Sequence, residues 1–224
     1  MTFSLVARCA KTGMFGIAIS SSSPAVAARC SFARAKVGAV ASQNITDPTL
    51  GPLTLDLMQK GLSSEQAIQN IQSIGKFIEY RQVLAIDTTG LTSIHSGPNS
   101  LGIWTQAEGK DVAAGGNLLS NESIPQSIVD AFISSDGHIG DRLIAAMRSG
   151  LTAGGEAGSV HSAGMKIVDK MTWPIADLRC DWTTNCPIEE VATAWDVYKP
   201  QLDAYVQRAI DPREAPSYGV PGDD

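Results

Sequence analysis

The sequence predicts an α/β protein of four layers, an αββα sandwich of two stacked, mainly antiparallel sheets between helices. Three observations predict it: hairpin signals recur along the chain, helical periods arrive in pairs, and strands and helices do not alternate as in a doubly wound sheet. The first element sets the pattern. In residues 2–22, TFSLVARCAKTGMFGIAISSS, Phe3, Leu5 and Ala7 alternate with Ser4, Val6 and Arg8, and Phe15, Ile17 and Ile19 alternate with Gly16 and Ala18. Both arms carry the period of two of strands. The turn AKTG ends on Gly13, which takes positive φ without steric cost. With Ala10 facing Gly13, Thr2 lies opposite Ser21, and the start of the chain meets the hydroxyl run Ser20 to Ser23.

The small, apolar SSSPAVAARCSFARA leads into a third strand over residues 36–42, KVGAVAS. Pro48, Gly51 and Pro52 punctuate the next loop. Two short helices follow over residues 53–61 and 63–73; Gly61 ends the first, and Ser63 or Ser64 caps the second, with Gln66 three residues after Ser63 as in a capping box. Residues 81–87 and 91–96 read as a hairpin with Gly90 in its turn. Residues 101–106 and 110–115 flank the dipeptide EG, and the second of these strands delivers a Gly-Gly-Asn corner at Gly115, Gly116 and Asn117. Helices are predicted over residues 124–134 and 139–149. The glycine-rich TAGGEAGSVHSAG opens into a strand over residues 162–169, paired with residues 173–180. Asp177, Arg179 and Asp181 alternate there, which suggests a salt-bridged face first and binding of a substrate carboxylate second. Pro187 begins a long helix reaching about Ala209. Residues 1–210 form one domain, and residues 211–224 an extended tail rich in proline and glycine.

A chain of 224 residues can bury an extensive core. Its 43% hydrophobic and 18% charged residues are those of a soluble globule, and no apolar run approaches the roughly 20 residues of a membrane span. A net charge of −6 argues against nucleic acid as a partner. The start lacks a basic region followed by an apolar core, so the expected location is cytoplasmic. Cys9, Cys30, Cys180 and Cys186 show no CxxC spacing and read as reduced thiols, with a Cys180–Cys186 bridge left open. His95, His138 and His161 form no HxxxH or HExxH pattern, so neither a metal nor another cofactor is expected. Only 6% aromatic residues point to a small polar substrate rather than a large apolar ligand. Trp195, Tyr198 and Tyr205 on the terminal helix either anchor a homo-oligomer, a dimer, or are buried against the sheets within one chain.

Thr2 is the first candidate for chemistry. A small residue after the initiator permits removal of Met1, which leaves Thr2 with a hydroxyl and a free α-amine. One residue then holds nucleophile and base, because an α-amine titrates at about 7.7 to 8.0 and is partly neutral near neutrality. The structural reading stands beside this: Thr is a good strand former.

The blocks TFSLVARC, SSSPAVAAR, FARAKVGAVASQN, TDPTLGP, LDLMQKGLSSEQA, EYRQ, AAGGNLL, AGGEAGSVHSAG, WPIADLRCDW and APSYGVPGDD together resemble the bacterial family known by its domain of unknown function 1028, placed in the N-terminal-nucleophile hydrolase superfamily. The resemblance runs over nearly the whole chain. It implies the αββα fold and hydrolysis of an amide-type bond by an N-terminal Thr, Ser or Cys, the matching position being Thr2. It implies no substrate. The alternative is a non-catalytic protein that binds a small molecule or serves as a scaffold on the same fold.

Around Thr2, roles are assigned by chemistry. Asn117, after the permissive Gly115 and Gly116, is an oxyanion donor or part of a plain glycine turn. Ser21 and Ser22 relay protons, bond the amine, or make a polar turn before Pro24. Arg34 places a positive charge near the amine, favouring its neutral form, or is a surface residue. Gln43 and Asn44 end the third strand, and Glu156, His161 and Ser162 border the glycine-rich loop; all five are pocket candidates, with Gly116 beside them, and His161 also has a purely structural reading.

Overall fold

A computed structural model of the protein describes residues 1–220. Its strands are β1 (Thr2–Arg8), β2 (Phe15–Ser21), β3 (Ser31–Arg34), β4 (Gly38–Asn44), β5 (Arg81–Asp87), β6 (Thr92–Ser96), β7 (Ile103–Gly109), β8 (Val112–Leu119), β9 (Ser162–Val168) and β10 (Ala176–Cys180). Its helices are α1 (Val26–Cys30), α2 (Leu50–Gln59), α3 (Ser64–Ile74), α4 (Ile124–Ser134), α5 (Ile139–Thr152), α6 (Pro187–Tyr198) and α7 (Leu202–Ile210). One sheet has the order β10-β9-β2-β1-β8-β7 and the other β3-β4-β5-β6. Every neighbouring pair is antiparallel.

The period of two decides which layer each β1 side chain enters. Phe3, Leu5 and Ala7 join the core beneath α4, α5 and α6, with Ile128, Phe132, Leu143, Met147 and Trp195. Val6 points the other way, into an inter-sheet core with Phe15, Ile17, Ala39, Ala41, Leu84 and Ile86. The outer face of the smaller sheet buries Val40, Val83 and Ala85 against Leu55, Ile68 and Ile71 of α2 and α3. The layers are therefore helices, sheet, sheet, helices, as the sequence predicts. The first hairpin has the predicted register, with Phe3 opposite Ser20. The capping box of Ser63 and Gln66 is formed at the start of α3.

Several elements differ from expectation. The stretch before the third predicted strand folds as α1 and β3, a helix of one turn and a strand of four residues, both too short to show a period. Gly115 and Gly116 are not a corner: they lie inside β8, opposite Ser4 and Phe3. A Cβ at Gly116 would come within 2.6 Å of Leu119 Cδ2, so the pair serves close approach rather than turning. The terminal helix is interrupted by a 3-10 turn at Lys199–Gln201, because Pro200 has no N–H and its ring crowds the preceding turn. Trp195 is fully buried and donates from Nε1 to Asp141, so it anchors the chain's own core and not a partner. Residues 211–220 are not extended; a 3-10 turn at Pro212–Glu214 returns Tyr218 to lie under the Arg208 guanidinium at 3.6 Å. Residues 221–224 of the predicted tail lie outside the described residues. Cys180 and Cys186 are free thiols, and Asp177 pairs with Lys166 and Arg179 on β9 and β10. Among the described residues no helix is long and apolar enough to cross a membrane.

Candidate active site

The inter-sheet layer changes character along β1. It is apolar around Val6 and polar at Ser4 and Thr2, and Thr2 is buried at the head of this central strand. β1 is hydrogen-bonded on one side to β2 and on the other to β8, which places Asn117 directly opposite Thr2. Ser21 lies across from Thr2 on the β2 side, with 3.4 Å between the two hydroxyl oxygens. Both hydroxyls donate to the carbonyl oxygen of Met1. Ser21 Oγ also accepts from the Ser23 backbone N–H at 3.0 Å, which fixes its orientation.

Behind Asn117 runs a buried chain of amides joining the two sheets. Ser4 Oγ donates to Gln43 Oε1 at 2.7 Å, and Gln43 Nε2 donates to Gln82 Oε1 at 2.7 Å and to the Gly115 carbonyl at 3.2 Å. Gln82 Nε2 donates to Ser96 Oγ at 2.9 Å and to the Gly116 carbonyl at 3.3 Å. Asn117 Nδ2 closes the chain on Gln82 Oε1 at 3.4 Å. Such a network satisfies each buried amide and holds the Asn117 side chain from behind. Leu118, the next residue, has φ +52°, a backbone conformation costly for a branched side chain and of the kind concentrated at functional sites.

The end of β8 also clamps the glycine-rich loop. Ser120 N–H donates to the Gly155 carbonyl, Ala157 N–H to the Leu118 carbonyl, and Leu119 bridges to Glu156. Gly154 and Gly155, at φ +129° and +60°, supply the bend. The loop delivers the Glu156 carboxylate to the Ser22 backbone N–H, which donates to its oxygens at 3.2 and 3.1 Å. Glu156 is 5% exposed. Burial pushes its pKa up to about 7, against the opposing pull of the Met1 α-ammonium and of hydrogen bonds from the Ser22 N–H and hydroxyl.

The native state thus binds a proton at Glu156 that the unfolded chain, titrating near 4.5, releases at lower pH. The contribution of this group to stability therefore falls as pH rises from about 4.5 through about 7. Glu156→Gln, which cannot ionise, is expected to gain on the wild type over that window, by at most about 3 kcal/mol at pH 8. Denaturation midpoints of the two proteins from pH 4 to 8 check this: parallel curves would contradict it.

The other candidates divide. His161 is anchored structurally: its N–H donates to the Ser21 carbonyl, its Nδ1 lies 2.8 Å from the Thr183 carbonyl, and its ring stacks on Trp182 at 4.6 Å. Since a carbonyl only accepts, Nδ1 carries the proton. Ser162 Oγ donates to the Ser23 carbonyl and accepts from Val26 N–H, holding the turn after β2. Asn44 joins loops, donating to the Tyr80 carbonyl at 2.6 Å and accepting from Leu101 N–H at 3.2 Å. Arg34 is not near the amine. It faces Gly38, at the end of β4 five residues from Gln43 and so about 17 Å away, and its guanidinium pairs with Asp56 at 2.8 Å. Sequence reasoning missed Gln82 and Ser4. Their signal was a polar residue on the inward face of an otherwise apolar strand. A cleft of about 250 Å³ lined by Arg8, Lys11, Lys110 and Arg142 opens at the opposite end of β1, away from these groups.

The four layers, with a buried threonine at the head of a central strand, make up an αββα sandwich. Residues 2–191 match the model of a family of unknown function (DUF1028), and the chain belongs to that family. The crystal structure of protein SPO2555 from Silicibacter pomeroyi, matched to the same family model, superposes with a TM-score of 0.83 at 26% identity, covering 88% of this chain and 89% of that one. Anbu (ancestral beta-subunit) from Yersinia bercovieri is a distant likeness, with a TM-score of 0.42 at 10% identity over 92% of this chain and 97% of that one. No curated protein matches the chain.

Proposed function

We propose that the protein is an N-terminal-nucleophile amidohydrolase that cleaves an amide-type C–N bond in a small polar substrate, without a cofactor. With Met1 removed, the Thr2 α-amine takes the proton from Oγ1 as that oxygen attacks the substrate carbonyl carbon. Asn117 Nδ2 and Ser21 Oγ stabilise the oxyanion. The protonated amine hands its proton to the departing nitrogen, the C–N bond breaks, and an ester on Thr2 remains. Water, deprotonated by the same amine, hydrolyses that ester. The observation that carries this reading is the convergence of the Thr2 and Ser21 hydroxyls on one carbonyl oxygen, that of Met1. Intact mass of protein from its native host tests it. A mass lacking Met1 is expected; full retention would block the amine and favour a non-catalytic binding or scaffold protein. Free thiols at all four cysteines fit a cytoplasmic setting.

Self-association is a separate proposal. With Trp195 buried, it rests on the exposed Val197, Tyr205 and Ile210 along α6 and α7. Sedimentation is expected to give a dimer for the full chain and a monomer for a chain carrying Val197→Glu and Ile210→Glu. A monomer in both cases removes the idea.

A further inference from the structure

We propose that the site takes α-aminoacyl amides, small amides whose acyl group bears a primary amine on the carbon next to the scissile carbonyl. This rests on the nucleophile reading above and names the acyl side of its substrate. Met1 is itself an α-aminoacyl group, bonded to the nitrogen of Thr2. Each of its parts meets a distinct feature of the protein. Its carbonyl oxygen accepts from Ser21 Oγ and Thr2 Oγ1. Its side chain lies over Gly158, where a Cβ would stand 3.3 Å from Met1 Cε. Its α-ammonium is the charge that most favours the ionised form of Glu156.

Glu156 supplies the selectivity. It sits beside the nucleophile by geometry, since its oxygens bond Ser22, the neighbour of Ser21. A carboxylate offers about four acceptor positions. Among the described residues Ser22, through its backbone N–H and its hydroxyl, is the hydrogen-bond donor to these oxygens, which leaves acceptor positions on a buried carboxylate for a cation. The Met1 ammonium is tethered to Thr2 through the Met1 carbonyl. An untethered acyl donor is free to bring its ammonium closer. Thr2 Oγ1 then forms an ester with the acyl carbon, the amide nitrogen leaves with the proton drawn from the hydroxyl, and water releases an α-amino acid.

The test uses a chain beginning at Thr2, released from an N-terminal fusion cleaved before that residue. Ammonia release is measured from L-methioninamide, its N-acetyl derivative and its desamino analogue. In parallel, calorimetry follows L-methionine binding to the Thr2→Ala chain. L-methioninamide is expected to be preferred at least about ten-fold, equivalent to about 1.4 kcal/mol. Glu156→Gln, which keeps an acceptor for Ser22, should erase that preference. Gly158→Val should disfavour L-methioninamide relative to glycinamide. Equal turnover or binding of the blocked analogues, or a preference that survives Glu156→Gln, overturns the proposal, as does a chain that neither binds nor cleaves the amine. Binding of L-methionine to the Thr2→Ala chain without Thr2-dependent ammonia release would leave the aminoacyl site standing and remove the nucleophile reading instead.

Discussion

Thr2→Ala is expected to abolish turnover and leave the fold intact. In the proposed mechanism attack, base and covalent intermediate converge on this residue, and the substitution deletes the nucleophile while keeping the α-amine. Any rate that survives should be the small residue supplied by the oxyanion donors. Thr2→Ser keeps hydroxyl and amine and should retain measurable activity. Neither change should unfold the protein. Thr2 is the first residue of β1, where strand preferences differ by at most about 1 kcal/mol, and Ser21 Oγ keeps its bond from the Ser23 N–H in either variant. Circular dichroism and the denaturation midpoint separate loss of chemistry from loss of fold. Wild-type turnover by a folded Thr2→Ala chain would end the mechanism.

Asn117→Ala is the next largest effect. Removing one preorganised oxyanion donor lowers kcat by about 10²–10³-fold, with KM little changed if the contact forms only in the transition state. The rest of the amide chain should persist, because Gln82 Oε1 still accepts from Gln43 Nε2 at 2.7 Å when the longer Asn117 contact is lost. A rise in KM at constant kcat would instead make Asn117 a ground-state binding residue. Steady-state kinetics on any cleaved amide distinguish the two outcomes.

Local patterns carried much of the fold. The first hairpin was legible because apolar and polar residues alternate across a turn ending on Gly13, and that register alone put Ser21 opposite Thr2. The helices α3 and α4 were legible from a capping box and from a clean helical period. What failed was short or contextual. α1 and β3 are five and four residues long, below the length at which a period is visible. Pro200 was the local signal for the break between α6 and α7, and the apolar positions on both sides of it masked that break. The site was legible in part. Thr2, Ser21 and Asn117 come together through strand pairing, whereas Arg34 was placed by sequence order and lies at the far end of its sheet. Gln82 belongs to the second sheet; its polarity on the inward face of β5 marks it out, but only the stacking of the sheets brings it to Asn117.

Acylation of Thr2 is the most direct test of the central claim. Protein lacking Met1 is treated with a small β-lactone, which transfers its acyl group to an activated hydroxyl, and the peptide ending at Arg8 is sequenced by tandem mass spectrometry. The account predicts one acyl group on Thr2 Oγ1, absent from chains that retain Met1. An unmodified Thr2 with the label on Cys9, Cys30 or another side chain would contradict it.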